Sequence, residues 1–228
     1  MKELKPEVLY KDEDIIVVDK PAGMVVFSPN EKEGSVAKTL SESFPEIKGL
    51  KGERCGAVHR LDKETSGVLL FARNKYALNF LQKELLEQKA KKRYITLVFK
   101  KVKKDKGKIH TGITRSPKDR RKQKACTKEE GKREAITFFR VLKRFSSFSL
   151  LDVQPKTGRK HQIRCHLAHI GHPVAGDRLY RFKDQKDPAE LKRQFLHAAS
   201  MEIKVPGGKK LFRASLPEDL KKVLAHLS

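Results

Sequence analysis

Along this 228-residue chain the spacing of apolar and polar positions changes several times, and each change predicts an element. Asp14–Lys20 contains the run Ile15-Ile16-Val17-Val18 and stops at Pro21-Ala22-Gly23. That pattern predicts a strand ended by a turn, with Met24–Phe27 as the next strand. Val36, Leu40 and Phe44 fall at helical spacing behind Ser35, a residue suited to capping a helix N-terminus. Gly67–Ala72 is a short unbroken apolar run, the pattern of a buried strand. After Asn74, another capping type, Ala77, Phe80, Leu81 and Leu85 carry a 3.6-residue period that predicts a helix to about Lys89. Tyr94–Phe99 and Ala135–Leu142 are β-rich, and Phe148–Val153 predicts a strand that ends at Pro155. Thr157-Gly158 reads as the opening of a helix with Ile163, Leu167 and Ile170 on one face and Gly171 as its stop. Phe195–Val205 predicts a further strand, and Pro217 marks the start of a last amphipathic helix.

Strands that follow one another in sequence, with helices placed irregularly among them, predict an α+β fold. The expected core is a mixed, mainly antiparallel central sheet flanked by helices; the regular alternation of a doubly wound fold is missing. No composition shift marks a boundary, so residues 1–228 are expected to form a single domain.

Charge changes the picture more than length does. Lys and Arg number 52 against 28 Asp and Glu, a formal charge of +24. The excess is uneven: Lys89–Arg133 holds 19 basic and 4 acidic residues by count. Glu does not keep pace with Lys, which favours a polyanionic partner over a merely solvated surface. Gly107–Arg133 reads as a basic hairpin or loop, and residues 100–133 as a basic arm or loop whose Arg120, Arg121 and Lys122 could grip a nucleic-acid backbone. The apolar runs are far shorter than the roughly 20 residues of a membrane span, and no apolar leader opens the chain. Cys55, Cys126 and Cys165 are odd in number and far apart, so no disulfide framework is expected. Together these features predict a cytoplasmic protein that binds a polyanion, nucleic acid foremost, with no membrane association and no obligate protein partner.

Four clusters could carry chemistry. His59-Arg60-Leu61-Asp62 precedes the buried strand, and the carboxylate beside an arginine could be a nucleophile, a base or a plain turn cap. Lys156-Thr157-Gly158-Arg159-Lys160-His161-Gln162-Ile163-Arg164 would place cations around a helix N-terminus, as an anion cradle or a structural cap. His161, Cys165, His166, His169 and His172 crowd into 12 residues, but a second ligand group at zinc spacing is missing, and no metal is expected. Tyr94, behind Lys91-Lys92-Arg93, is a core strand residue or a ring on which a base could stack between phosphate-holding cations.

Taken together, the segments resemble the RluA-type family of RNA pseudouridine synthases along nearly the whole chain. The likeness runs through Asp19-Lys20-Pro21-Ala22-Gly23, His59-Arg60-Leu61-Asp62 with Thr65-Ser66-Gly67, Lys92-Arg93-Tyr94 and Thr157–Arg164. It ends with Gly171-His172-Pro173, Gly176-Asp177, Leu196-His197-Ala198 and Leu216-Pro217. Lys160 departs from the Thr or Ser usual in that family, and no N-terminal S4-like RNA-binding domain is expected, since the chain opens almost directly on the catalytic motifs. The resemblance implies isomerisation of uridine in ribosomal or transfer RNA without cofactor or metal. It implies Asp62 as nucleophile, Tyr94 stacked on the flipped base and aiding its deprotonation, and Arg164 paired with the aspartate. Arg60 would hold RNA around the extruded nucleotide, and His59, Lys156, Arg159, Lys160 and Gln162 are further expected RNA contacts.

Overall fold

The computed structural model describes residues 4–30, 34–50, 52–127 and 133–227, and of the basic segment 100–133 the residues 128–132 lie outside them. The described residues form ten strands and four α-helices, divided between two compact units. The first comprises Met1–Lys91 and Ala198–Ser215, the second Lys92–His197 and Leu216–Ser228.

In the first unit the strand order is β1 (Glu7–Lys11), β2 (Ile15–Lys20), β3 (Ser66–Ala72) and β9 (Leu196–Val205), with β10 (Gly208–Arg213) paired to β9. Every residue of β3 is buried, as its unbroken apolar run requires of a strand covered on both faces. One face packs against helix α2 (Lys75–Leu86): Val17, Val68 and Leu70 meet Ala77, Leu78 and Leu81, with Met201 and Phe212 closing the cluster. Both predicted caps form. Asn74 accepts the Ala77 N–H at 2.8 Å, and Ser35 accepts that of Lys38 at 3.2 Å to open α1 (Val36–Ser43). Met24–Phe27 is not a strand; it makes one parallel bridge, Val25 to Ser35, because the backbone there serves the turn described below.

The second unit has the strand order β4 (Lys91–Phe99), β8 (Phe148–Pro155), β7 (Arg133–Arg144), β5 (Lys106–Arg115) and β6 (Gln123–Cys126), and its pairings are antiparallel. Helix α3 (Gln162–His169) covers one sheet face, where Ile163 and Leu167 pack on Val98, Ile109, Phe139, Leu151 and Val153. Helix α4 (Glu218–His226) sets Leu220 and Val223 against Leu97 and Phe148, so it covers only one end of the other face. The fold is thus α+β with mainly antiparallel strands. The expected hairpin exists, but β5 is paired to β7 from Lys106 to Ile113, so only residues 116–122 project as a turn.

His166 on α3 is fully buried between two hydroxyls, Thr137 Oγ1 at 2.9 Å from Nδ1 and Thr111 Oγ1 at 3.1 Å from Nε2. Burial, reinforced by nearby His169 and His110, pushes its pKa from 6.5 down to about 4. The folded state holds this ring neutral, whereas the unfolded chain takes up a proton below pH 6.5. Its contribution is therefore complete above that pH and is lost as pH falls towards 4, about 3 kcal/mol in all. Asp19 acts oppositely in an overlapping window, because burial and then Glu7 raise its carboxyl to about 6. The test is accordingly differential. Urea denaturation between pH 7 and 4 should fall less steeply for His166→Gln than for the parent chain, and equal slopes would refute the assignment.

Candidate active site

Asp62 stands half-buried in the turn that enters β3, between buried Leu61 and buried Thr65. The turn is closed by the Thr65 N–H donating to the Asp62 carbonyl at 3.0 Å. It is tied down from two sides. On one, Val58 N–H donates to the Leu70 carbonyl at 3.1 Å and Leu70 N–H donates to His59 Nε2 at 3.2 Å, so His59 is latched to β3 through that unprotonated nitrogen. On the other, the Lys63 carbonyl receives the Gly23 N–H at 2.9 Å and the Lys20 ammonium at 2.9 Å. Lys20 is fully buried and also donates to the carbonyls of Pro21 and Met24, each at 2.7 Å. A buried ammonium needs all its protons engaged, so this lysine gathers the 21–24 turn and the Asp62 turn into one body. Gly67 completes the entry: at φ +114° it sits so close to β9 that a β-carbon would lie 2.2 Å from the Ala198 carbonyl oxygen. Arg60 is exposed, with its guanidinium 5.6 Å from the Phe27 ring centroid.

In the second unit, strand alternation sorts the Lys92-Arg93-Tyr94 motif. Lys92 and Tyr94 share one face of β4, and Tyr94 packs against the cluster beneath α3. Burial pulls the Lys92 pKa below its ordinary value, and this ammonium has no ion-pair partner among the described residues. It lies beside Gly158, 3.8 Å from where a β-carbon would stand. Gly158 has no left-handed backbone, so its place beside this ammonium is not set by a positive φ. Arg93 turns to the opposite face and grips Asp152 with Nε at 3.2 Å and Nη2 at 2.5 Å.

The Thr157-Gly158 pair, read as the opening of a helix and as an anion cradle or a structural cap, does not itself open α3. His161 takes a left-handed conformation (φ +54°), so α3 starts only at Gln162, past the Thr-Gly pair. Arg159 sends Nε to the Glu134 carbonyl at 3.0 Å, and Lys156 and Lys160 remain exposed. Gln162, expected to face RNA, is buried. It accepts from Thr157 Oγ1 at 2.8 Å and the Arg159 N–H at 3.0 Å, and donates to the Ile136 carbonyl and Thr137 Oγ1, both at 3.0 Å. With its amide engaged on four sides it locks β7 to the start of α3, which is a positioning job.

Arg164 is buried on α3 and makes a bidentate pair with Asp177, Nε to Oδ2 at 2.6 Å and Nη2 to Oδ1 at 2.8 Å. Asp177 Oδ1 also accepts the N–H groups of Leu179 at 2.9 Å and Tyr180 at 3.1 Å. The guanidinium lies 5.2 Å from the Tyr180 ring centroid, and the Tyr180 hydroxyl takes the Gln123 N–H at 2.6 Å, anchoring the base of the β5–β6 hairpin. At the hairpin turn Arg120 and Arg121 are exposed and Lys122 half-buried. Arg121 is held by Asp119 through two bonds of 3.0 and 2.9 Å, which weakens it as a free phosphate contact. The Gly176-Asp177 pair belongs to the resemblance, but nothing local to it gives Asp177 its role; the fold sets it opposite Arg164, 13 residues away in sequence. Among the described residues no group of three His, Cys, Asp or Glu side chains is placed to hold a metal ion, and no helix is long and apolar enough to cross a membrane.

A family model described as RNA pseudouridylate synthase matches residues 14–169. An uncharacterized RNA pseudouridine synthase of Aquifex aeolicus is 46% identical over 198 residues, covering 83% of this chain and 62% of that protein. The ribosomal large subunit pseudouridine synthase D of Nitrosomonas europaea is 37% identical over 227 residues, covering 96% of this chain and 64% of that one. Among solved structures, human RNA pseudouridylate synthase domain containing 4 superposes with a TM-score of 0.78 at 24% identity, over 97% of this chain and 92% of that one, a likeness of fold. The chain belongs to the RNA pseudouridylate synthase family. It spans somewhat under two thirds of the length of the Aquifex and Nitrosomonas relatives.

Proposed function

We propose that this chain isomerises uridine to pseudouridine within RNA, with Asp62 as nucleophile. What carries the reading is a carboxylate on a backbone-anchored turn, held by Lys20 and His59, inside the span matched by the family model. Attack on the nucleoside, at C1′ in the favoured version, breaks the C1′–N1 bond. Asp62 is then esterified to C1′; the uracil turns, its C5 attacks C1′ and displaces the Asp62 carboxylate, the C5 proton leaves and N1 gains a proton, so atoms balance without cofactor, metal or redox partner. The target atoms are shielded in a stacked helix, so the uridine must be flipped out, at a cost of a few kcal/mol. Tyr94 would stack on the flipped base and Lys92 would take an adjacent phosphate. Exposed Arg60, Lys156, Lys160 and Arg120 would add backbone contacts that set affinity and salt dependence rather than chemistry. The relatives named for the large ribosomal subunit favour ribosomal RNA over transfer RNA as substrate.

The activity is tested by tritium release from [5-³H]uridine RNA, expected to proceed undiminished with chelator; no release from ribosomal or transfer RNA would refute it. For Tyr94, the ring and hydroxyl should separate. Tyr94→Phe should bind RNA normally but turn over slowly, whereas Tyr94→Ala should also lose affinity, since stacking is worth about 1–3 kcal/mol per base. Equal affinity losses in the two variants would refute that division.

A further inference from the structure

Among the described residues, helices α3 and α4 leave part of one face of the second unit's sheet uncovered. It is the face opposite Tyr94, beyond the end shielded by α4. Strand register lays two rows across it. In one, Lys108 stands opposite Phe138 and Phe138 opposite Gln154; in the next, Lys106 stands opposite Arg140 and Arg140 opposite Asp152. Arg93, Lys106, Phe138, Arg140, Asp152 and Gln154 line a cavity of about 540 Å³ there, and Lys108 stands beside Phe138.

Phe138 is 43% exposed at its centre, with the Lys108 ammonium 5.9 Å from its ring centroid. The carboxylate of Asp152 is buried and already engaged, by Arg93 in two bonds and by Arg140 Nη2 at 3.5 Å. It serves as a peg that orients two guanidinium groups, and the patch keeps a cationic surplus from Arg93, Lys106, Lys108 and Arg140. A bare phenyl ring on an open sheet is costly to solvate, and core packing does not use it. An aromatic platform flanked by cations on an uncovered sheet is what a single-stranded nucleic acid needs: a flat ring for an unpaired base, with cations for the phosphates on either side.

We propose that this face is a second RNA-binding surface, which takes an unpaired segment of the substrate RNA with one base on Phe138 and phosphates on Lys106, Lys108 and Arg140. Resting on the RNA reading above, it extends that reading to a contact on the far side of the sheet from Tyr94. A partner protein with an acidic segment would suit the cations, but it would leave the ring without a stacking partner.

The test uses the full chain and a fluorescein-labelled 20-nucleotide single-stranded RNA of mixed sequence, with affinity read by anisotropy across a salt series. Phe138→Ala and Phe138→Leu should each weaken binding at least fivefold. The leucine variant keeps an apolar side chain, so a loss there is a loss of stacking and not of folding. Changing Lys106, Lys108 and Arg140 together to Gln should flatten the slope of log K against log[salt] by about 0.7 per lost phosphate contact. Light-induced crosslinks from 5-bromouridine RNA should map to the peptide containing Phe138. Unchanged affinity in Phe138→Leu together with an unchanged salt slope in the triple variant would overturn the surface. If those variants bind as the parent does while the parent releases tritium, only this surface fails. If the parent binds through Phe138 but releases none, the surface stands and the isomerase reading fails.

Discussion

Replacing Asp62 by Asn should reduce turnover by at least a thousandfold, about 4 kcal/mol of transition-state stabilisation, while the protein still folds and binds RNA. The amide keeps the size and shape of the carboxylate but is a far weaker nucleophile. Folding should survive because the turn is held chiefly by backbone groups. The Asp62 carbonyl accepts from Thr65, and the Lys63 carbonyl accepts from Gly23 and Lys20. Single-turnover tritium release at saturating RNA, paired with a binding isotherm, checks both halves. Turnover within tenfold of the parent would rule out Asp62 as nucleophile, and an intact rate with lost binding would make it an RNA contact instead.

Asp177→Ala should be the most destabilising single change in the second unit, by about 3–5 kcal/mol in urea denaturation, the range for removing one partner of a buried ion pair. The carboxylate takes two bonds from Arg164 and two from the backbone of Leu179 and Tyr180. Its loss should therefore loosen more than one helix. Tyr180 positions its hydroxyl for the Gln123 N–H, so amide exchange at the base of the β5–β6 hairpin should speed up as well. Asp177→Asn keeps an acceptor for the turn but withdraws the charge, and should fall between the parent and Ala. A cost below about 1 kcal/mol for Asp177→Ala would show that the pair is dispensable.

Elements whose determinants are local were legible in the chain. Asn74 and Ser35 cap helices because a short polar side chain reaches back to an N–H three residues on, wherever the helix ends up. The unbroken run at β3 had to be buried on both faces, since no polar position alternates with it. The α+β class followed from the same patterns. The start of α3 was misread for a local reason too. Thr157-Gly158 looks like a helix opening, but the left-handed turn at His161 is not one that a histidine announces. The short strands β1 and β10 were missed because each is half-exposed and gains its pairing only from the strand beside it.

The candidate site divides along the same line. By itself the sequence determined the ingredients: a +24 chain with its cations crowded into one stretch, the His-Arg-Leu-Asp and Lys-Arg-Tyr motifs, and hence the family. Only the tertiary structure decided which of those charges are available. It buried Lys20 against three carbonyls, buried Gln162 between β7 and the Thr157–Arg159 loop, tied Arg121 to Asp119 and aimed Arg164 at Asp177. It also sent Arg93 and Tyr94, adjacent in sequence, to opposite faces of β4. The physical reason is that a side chain's charge and shape are written in its own residue, whereas its desolvation and its partners come from segments far away in the chain. Those distant contacts turn an excess of lysine and arginine into a few cations free to meet a phosphate and others spent on holding the fold.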